Sequence, residues 1–183
     1  MGRHYARIAF TPAVQAEQQR IGARAHYAQM AEAGREDDAL TAAEAGFIAA
    51  RDGLTMATVS ESGWPYLQHR GGPPGFVRAL DARHIAFAEL AGNRQQVSRG
   101  NLVGNDRVAL FFMDYPNRRR LKLLGHARLV EDDPALLAQL TPPGRARQAE
   151  AAMLIEVAGF EWNCPQHITP RYSVAEWAAL ARE

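Results

Sequence analysis

The stretch "DRVALFFMDYPNRRRLKLLGHARLVE" (Asp106–Glu131) decides the fold of this chain. It contains two long strand-forming runs, Asp106–Asp114 and Arg119–Glu131, which are joined by the turn residues "YPNR". Two such runs separated only by a turn predict neighbouring strands of a meandering antiparallel sheet. The apolar run Phe111–Met113 within the first strand is most simply interpreted as core.

Shorter strand-length runs precede this pair, and one long run follows it. The turn signals "ESGW", "GGPPG" and "DAR" separate the earlier runs from one another. The predicted strands are Leu54–Ser60, Pro65–Arg70, Phe76–Leu80, His84–Leu90 and Ala151–Trp162.

Helix signals lie on both sides of these strands. Thr11 and Pro12 predict a helix that continues to Ala33, and the capping box Thr41–Glu44 predicts a second helix that ends near Gly53. Further helix starts are predicted after the turn at 92–94, at Asp133–Pro134 and at Ser173–Glu176. We therefore expect an α+β, mainly β, single domain over residues 1–183, with N-terminal helices (1–52), a barrel (53–162) and a C-terminal loop and helix (163–183).

The composition is that of an ordinary soluble globule and excludes several classes of protein. Apolar residues make up 47% and charged residues 22% of the 183. There is no apolar run of about 18 residues and no apolar segment typical of a signal peptide, so we expect a cytoplasmic protein without a membrane partner. Cys164 is the only cysteine, which excludes an internal disulfide and a multi-cysteine zinc site, and we predict no metal.

Basic residues are concentrated in the middle of the chain. The formal net charge is +1, but residues 62–130 contain eleven Arg or Lys against four acids. Such a surplus is expected of a surface that meets phosphates. The basic residues alternate with apolar strand positions and do not form a continuous stripe with stacking aromatics, so we predict no nucleic-acid partner.

The stretch "LAGNRQQVSRGNL" (Leu90–Leu102) predicts an anion site. It leaves an apolar strand, turns, and enters a short helix whose first positions are polar or basic rather than acidic. Acids normally enrich a first helical turn because they complement the positive end of the helix dipole. Their absence here indicates a site for an anion from outside the chain.

The ordered set of two strands, a Gly-rich loop, two strands, "GNR", "GNL", "NDRVALFFMDYP" and "RRRLKLLGHARL" resembles the FMN-binding split barrels of the pyridoxamine 5'-phosphate oxidase-like superfamily. The resemblance covers roughly residues 53–162. It implies a six-stranded antiparallel Greek-key split β-barrel with flanking helices. It also implies a homodimer with FMN, the expected cofactor, bound in the dimer interface.

The resemblance also assigns cofactor-binding residues. Arg70 resembles the phosphate-binding cation at the end of the second strand, with Gln68 and His69 beside the flavin ring or ribityl chain. Asn93 and Arg94 resemble the pair that closes on the phosphate. The remaining assignments are two residues one turn along the helix and two from which the second subunit reaches its partner's flavin: Gln95, Ser98, Arg120 and Lys122.

The chain departs from the classical oxidase in two places. One cation is missing at the helix start, where Gly92-Asn93-Arg94 stands for a Ser-Arg-Lys run. The C-terminal substrate signature of the oxidase is absent, and "WNCPQH" (Trp162–His167) stands in that region. Vitamin B6 oxidation is therefore not expected. Gln166 and His167, in a proline-stiffened loop, are candidates for shaping a substrate pocket.

Several alternatives stay open from the sequence. The protein is a flavoenzyme acting on a small-molecule substrate or reductant, or a flavin-binding module without turnover, and a deazaflavin cofactor fits the same fold. Trp64 either covers the ring or lies on the surface. We expect Arg99 to face solvent, and the strand face of Val108, Leu110 and Phe112 to need a partner subunit.

Overall fold

Seven helices and seven strands form within residues 2–34 and 38–181, which are the residues described by the computed structural model. The helices are α1 (Arg3–Ala9), α2 (Pro12–Arg20), α3 (Arg24–Ala33), α4 (Ala42–Ala49), α5 (Val97–Gly104), α6 (Pro134–Leu140) and α7 (Val174–Leu180). The strands are β1 (Gly53–Val59), β2 (Pro65–Gly71), β3 (Arg78–Ala79), β4 (His84–Leu90), β5 (Arg107–Asp114), β6 (Arg119–Val130) and β7 (Ala149–Trp162), with a 3-10 turn at Ala146–Gln148.

All strands belong to one antiparallel sheet in the order β2-β1-β5-β6-β7-β4-β3. All seven predicted runs form strands, so the six-stranded barrel implied by the resemblance is wrong by one, and the Phe76–Leu80 run forms only the two-residue β3. The turn of the Gly-rich loop extends into that run, where the Phe76 N–H bonds to the Pro73 carbonyl. The sheet is not closed: β2 and β4 face each other without strand pairing, across a gap called here the split.

The core lies on one face of this curved sheet. Alternate residues of each strand are buried, as period-two side-chain alternation requires. Val108, Leu110 and Phe112 are among them, so the expectation that they need a partner subunit is wrong. Their neighbour Ala109, on the other face, is exposed.

The N-terminal helices differ from the sequence expectation. The predicted helix from Thr11 to Ala33 is broken into α2 and α3 at Gly22, which has φ +73° and no Cβ to oppose that conformation. The Thr11 cap and both predicted capping boxes form, because their side chains satisfy free N–H groups of the first helical turn. Helix α4 ends at Ala49, before Gly53 begins β1.

A buried carboxylate attaches α1, which was not predicted, to the sheet. Asp38 Oδ2 accepts hydrogen bonds from the backbone N–H of Tyr5 in α1 (2.8 Å) and of Phe160 in β7 (3.3 Å). Gly159 lies at the same contact, where a Cβ would be 2.7 Å from the Tyr5 backbone nitrogen. The close approach of α1 to β7 therefore depends on both Asp38 and Gly159.

Candidate functional site

A cavity of about 200 Å³ opens between β2, the end of β4 and the start of α5. It will be called the split cavity. Its lining includes six of the residues that the sequence selected: Gln68, Arg70, Asn93, Arg94, Gln95 and Ser98. Candidate residues that are up to thirty positions apart in the sequence therefore line the same cavity.

Strand alternation selects which β2 side chains enter the split cavity. Gln68 and Arg70 pair across from Met56 and Leu54, whose side chains are core, and so face inward. His69 points the other way and does not line the split cavity. It lines a smaller adjacent cavity of about 150 Å³.

The loop into α5 is held in an uncommon backbone conformation. Arg94 and Gln96 have φ of 59° and 55°, the left-handed region that costs a non-glycine residue about 1–3 kcal/mol. The Asn93 side chain accepts a hydrogen bond from the Gln95 N–H at 3.2 Å. Gln96 at the helix start supplies no side-chain cap, and the first turn of α5 contains no acid. Neither a capping side chain nor a first-turn acid therefore satisfies the N–H groups at the start of α5.

Two side-chain hydrogen bonds fix α5 against the sheet. Ser98 Oγ donates to Gln68 Oε1 of β2 at 3.2 Å. Asn101 Nδ2 donates to Thr58 Oγ1 of β1 at 2.9 Å, and both of these residues are buried. Buried polar groups that pair in an apolar core have few alternative arrangements. These bonds therefore hold the start of α5 at the split cavity.

An ion pair crosses the split. Arg70 Nη1 of β2 lies 2.5 Å from Glu89 Oε1 of β4, and both side chains are only 14% exposed. Arg70 Nε and Glu89 Oε2 are buried without any hydrogen-bond partner. A spare guanidinium donor fits a phosphate oxygen. The spare carboxylate oxygen was not anticipated.

Glu89 is the functional candidate that the sequence interpretation missed. A signal was present, because Glu89 continues the inward-facing alternation of Ile85 and Phe87, which are both buried. An acid on the core face of an apolar strand needs a partner or a function.

Arg99 does not face solvent, so that expectation is wrong. Its side chain is 23% exposed; Nη2 bonds to Glu131, and Nη1 lies 3.9 Å from Glu150. Arg94 is consequently the one arginine of the split cavity that makes no ion pair with any described residue.

Arg120 and Lys122 lie on the outer face of β6, not at the split cavity. Lys122 Nζ is 3.5 Å from Glu161 Oε2 on β7. Arg120 Nε is buried and has no hydrogen-bond partner. Within one chain these two cations are separated from Arg94, so they would have to act on a second subunit's site.

The C-terminal candidates lie on a surface loop between β7 and α7. Gln166 and His167 are exposed and do not line the split cavity, and His167 has φ 62°. The loop begins beside β6, where the Asn163 N–H bonds to the Arg120 carbonyl at 3.2 Å. Trp64, at the tip of the β1–β2 turn, is 76% exposed.

The outer surface of the sheet carries an exposed apolar patch. Cross-strand register aligns Leu67, Ala57, Ala109 and Leu124 in one row over four strands. A shallow depression of about 610 Å³ covers much of this row, and α1 contributes Ile8 to it. We call this the outer apolar face, defined by Ile8, Ala57, Val59, Ala109, Leu124 and Ala158.

Two further features concern the described ranges 2–34 and 38–181 only. No group of three or more His, Cys, Asp or Glu side chains there is placed to hold a metal ion. None of the helices in that part of the chain has the length and apolarity needed to cross a membrane.

The sequence profile of the pyridoxamine 5'-phosphate oxidase family matches residues 40–169, which contain the whole sheet and every residue of the split cavity. The chain belongs to this family. The resemblance inferred from its motifs is thereby confirmed. A comparison with proteins of curated function gives no significant match.

Solved structures share the family fold at low sequence identity. HupZ of Group A Streptococcus is 16% identical, with a TM-score of 0.54 over 73% of this chain and 100% of that one. A candidate pyridoxamine 5'-phosphate oxidase of Lactobacillus delbrueckii is 20% identical, with a TM-score of 0.53 over 69% and 96%. General Stress Protein 26 of Bacillus anthracis is 14% identical, with a TM-score of 0.50 over 63% and 87%. At these identities the likeness establishes the fold alone.

Proposed function

We propose that this family member is an FMN-binding flavoprotein that holds the cofactor's phosphate in the split cavity. One observation carries the proposal: Arg70, Arg94 and the acid-free start of α5 converge on a single cavity. Guanidinium groups and free helical N–H groups are the donors that bind a phosphate dianion. Arg94, which makes no ion pair with the described residues, supplies the principal charge.

The remaining cavity residues suit the rest of the cofactor. Gln68 and Ser98 supply polar groups for a ribityl chain, with His69 on the adjacent cavity beside the ring. When bound, a flavin supplies hydride and electron transfer between a small organic substrate or nicotinamide and its ring. The chain's own residues bind and orient it. We therefore favour an oxidoreductase.

A homodimer belongs to this proposal, because Arg120, Lys122, Gln166 and His167 would act on the site of a second subunit. The outer apolar face is the surface that we assign to the contact. Arg120 and Lys122 lie on this same surface of β6, four and two residues before Leu124, respectively. A contact there would therefore bring both cations to the partner.

The second candidate is a flavin-binding module without turnover, such as a carrier or sensor. It is favoured by the lining of the split cavity, which contains no histidine, cysteine or lysine and whose two glutamates, Glu89 and Glu150, both lie beside arginines. Addition of NADH or NADPH to the flavin-loaded protein without oxygen distinguishes the two, since bleaching of the flavin absorbance indicates an oxidoreductase. The deazaflavin alternative is tested by adding a reduced deazaflavin in place of NADH or NADPH.

The phosphate assignment is tested by comparing FMN with riboflavin, which lacks only the phosphate. A hydrogen bond to a charged group is worth about 1.5–3 kcal/mol, and each ~1.4 kcal/mol is a factor of ten in affinity. Two such contacts give FMN at least ~100-fold tighter binding in a fluorescence titration. Arg94→Ala should remove about tenfold or more of this preference and leave riboflavin binding unchanged.

The matched control is Arg128→Ala. Arg128 is exposed on β6 and does not line the split cavity, whereas Arg99 is unsuitable because two acids hold it. Equal affinity of the unmutated protein for FMN and riboflavin would refute the phosphate site.

A further inference from the structure

The ion pair across the split leaves an acceptor as well as a donor without a partner. Glu89 Oε1 is engaged by Arg70 Nη1, but Glu89 Oε2 is buried and accepts no hydrogen bond. A buried carboxylate oxygen without a donor is unfavourable. Of the other two arginines that line the split cavity, Arg99 is already held by Glu131 and Glu150, whereas Arg94 makes no ion pair with any described residue.

In the proposed FMN site Arg94 binds the phosphate, so the donor that Glu89 Oε2 lacks is a neutral group carried next to an anion. A phosphate oxygen placed against Glu89 would be repelled by its charge, so the phosphate lies towards Arg94 and the start of α5. The group facing Glu89 must therefore donate a hydrogen bond and bring no negative charge. A hydroxyl on a chain that ends in a phosphate meets both requirements.

We infer that Glu89 is a specificity-determining residue that accepts a hydrogen bond from a ribityl hydroxyl of the bound flavin. The inference rests on the proposed function, because it takes the split cavity as the FMN site. Arg70 Nη1 orients the carboxylate, and Arg70 Nε remains available to the phosphate end of the ligand. The site thus selects a phosphorylated polyol chain over a phosphorylated chain without hydroxyls.

The test uses a flavin whose ribityl chain is replaced by a 5-phosphopentyl chain. This probe keeps the ring and the phosphate but has no hydroxyl. Affinities for FMN, the probe and riboflavin are measured by fluorescence titration for the unmutated protein, Glu89→Leu and Glu89→Gln, with circular dichroism and melting curves to verify folding.

The unmutated protein should bind FMN at least about tenfold more tightly than the probe, the value of one hydrogen bond to a charged group. Glu89→Leu should abolish this ratio, and Glu89→Gln should keep part of it because an amide oxygen still accepts a hydroxyl hydrogen. Both variants remove a negative charge and should bind the probe more tightly than the unmutated protein.

Glu150→Gln is the matched control. It removes the same charge from the rim of the same cavity, where Glu150 lies beside Arg99. The FMN-to-probe ratio should stay at the unmutated value. A ratio that is equal in the unmutated protein and in Glu89→Leu overturns the inference and leaves the FMN site intact. Failure of all three flavins to bind the unmutated protein overturns the proposed function instead.

Discussion

Glu44 joins the N-terminal helices to the end of the sheet through a single carboxyl group. Its Oε2 accepts hydrogen bonds from the Thr41 N–H and hydroxyl, and its Oε1 accepts from the Trp162 indole N–H at 2.8 Å. Burial raises the pKa of the Glu44 carboxyl, but the hydrogen bonds from Thr41 and Trp162 outweigh burial, so the pKa lies below its ordinary value. Folding therefore favours the ionised form.

We expect this carboxyl to contribute to acid sensitivity. Because its pKa is lower in the folded than in the unfolded chain, where it is about 4.3, its contribution is complete above roughly pH 5. This contribution to stability is lost as the pH falls through the pKa that the Glu44 carboxyl has in the folded protein. Glu44→Gln should lower the melting temperature at pH 7 but reduce the further loss between about pH 5 and pH 3. Melting curves recorded across that pH range measure the change in melting temperature for both proteins.

Glu17→Gln serves as the comparison. Glu17 is an exposed residue of α2 paired with Arg20 three residues on, and such pairs are worth little. Its melting profile against pH should match that of the unmutated protein. If the melting profile of Glu44→Gln also matches that of the unmutated protein, the hydrogen bonds at Glu44 do not make the stability depend on pH.

For individual residues, the sequence interpretation selected six that line the split cavity but misjudged the ionic partners. The acid-free helix start is a local pattern that contains Arg94, and the family resemblance assigns Arg70, so both residues could be selected. The partners of Arg70 and Arg99 come from other strands and loops, 19 residues away for Glu89 and 32 for Glu131. A sequence pattern does not contain those contacts.

Among the elements, α1 depends most on a close approach. A Cβ at Gly159 would meet the Tyr5 backbone nitrogen at 2.7 Å and Asp38 Oδ2 at 2.8 Å. Gly159→Ala should therefore push α1 off β7 and lower the free energy of unfolding by about 1–3 kcal/mol, the usual cost of overpacking. Urea unfolding followed by circular dichroism measures this change.

Gly100→Ala is the opposite case. Gly100 lies inside α5, and a Cβ there would meet nothing within 4 Å. Alanine is the better helix former by about 0.5–1 kcal/mol, so this variant should be slightly more stable. Equal stability changes in the two variants would show that α1 is not held by the contact at Gly159.

The element boundaries show where sequence reasoning reaches its limit. Caps at Thr11, Thr41 and Ser173 are short-range and were predicted correctly. The break at Gly22 was missed because an isolated glycine is also tolerated within helices. α1 was missed because its N-terminus is capped by Asp38, more than thirty residues away.

For the whole molecule, we predict a homodimer that forms through the outer apolar face. Stable homodimers typically bury about 2,000 Å² or more, which requires an apolar surface of this kind. Ala109→Arg places a charge in its centre and should convert a dimer into a folded monomer with weaker FMN binding. Light scattering at micromolar concentration measures the mass.

Val103→Arg is the control for the assembly test. Val103 is 87% exposed on α5 and is not part of the outer apolar face, so the same added charge should leave the dimer intact. A monomer in the unmutated, FMN-loaded protein would contradict the dimer and the placement of Arg120 and Lys122 in a partner's site.

The position of β7 in the sheet has a consequence for how the chain is synthesised. β7 is the last strand in sequence, yet it lies between β6 and β4 and supplies the pairing that joins the β3–β4 hairpin to the other strands. A nascent chain on the ribosome therefore carries this hairpin unpaired until residues 149–162 emerge. Non-local pairing of this kind is slow, and exposed strand edges aggregate. The split cavity can thus assemble only after β7, the strand furthest along the sheet's sequence order, has been translated.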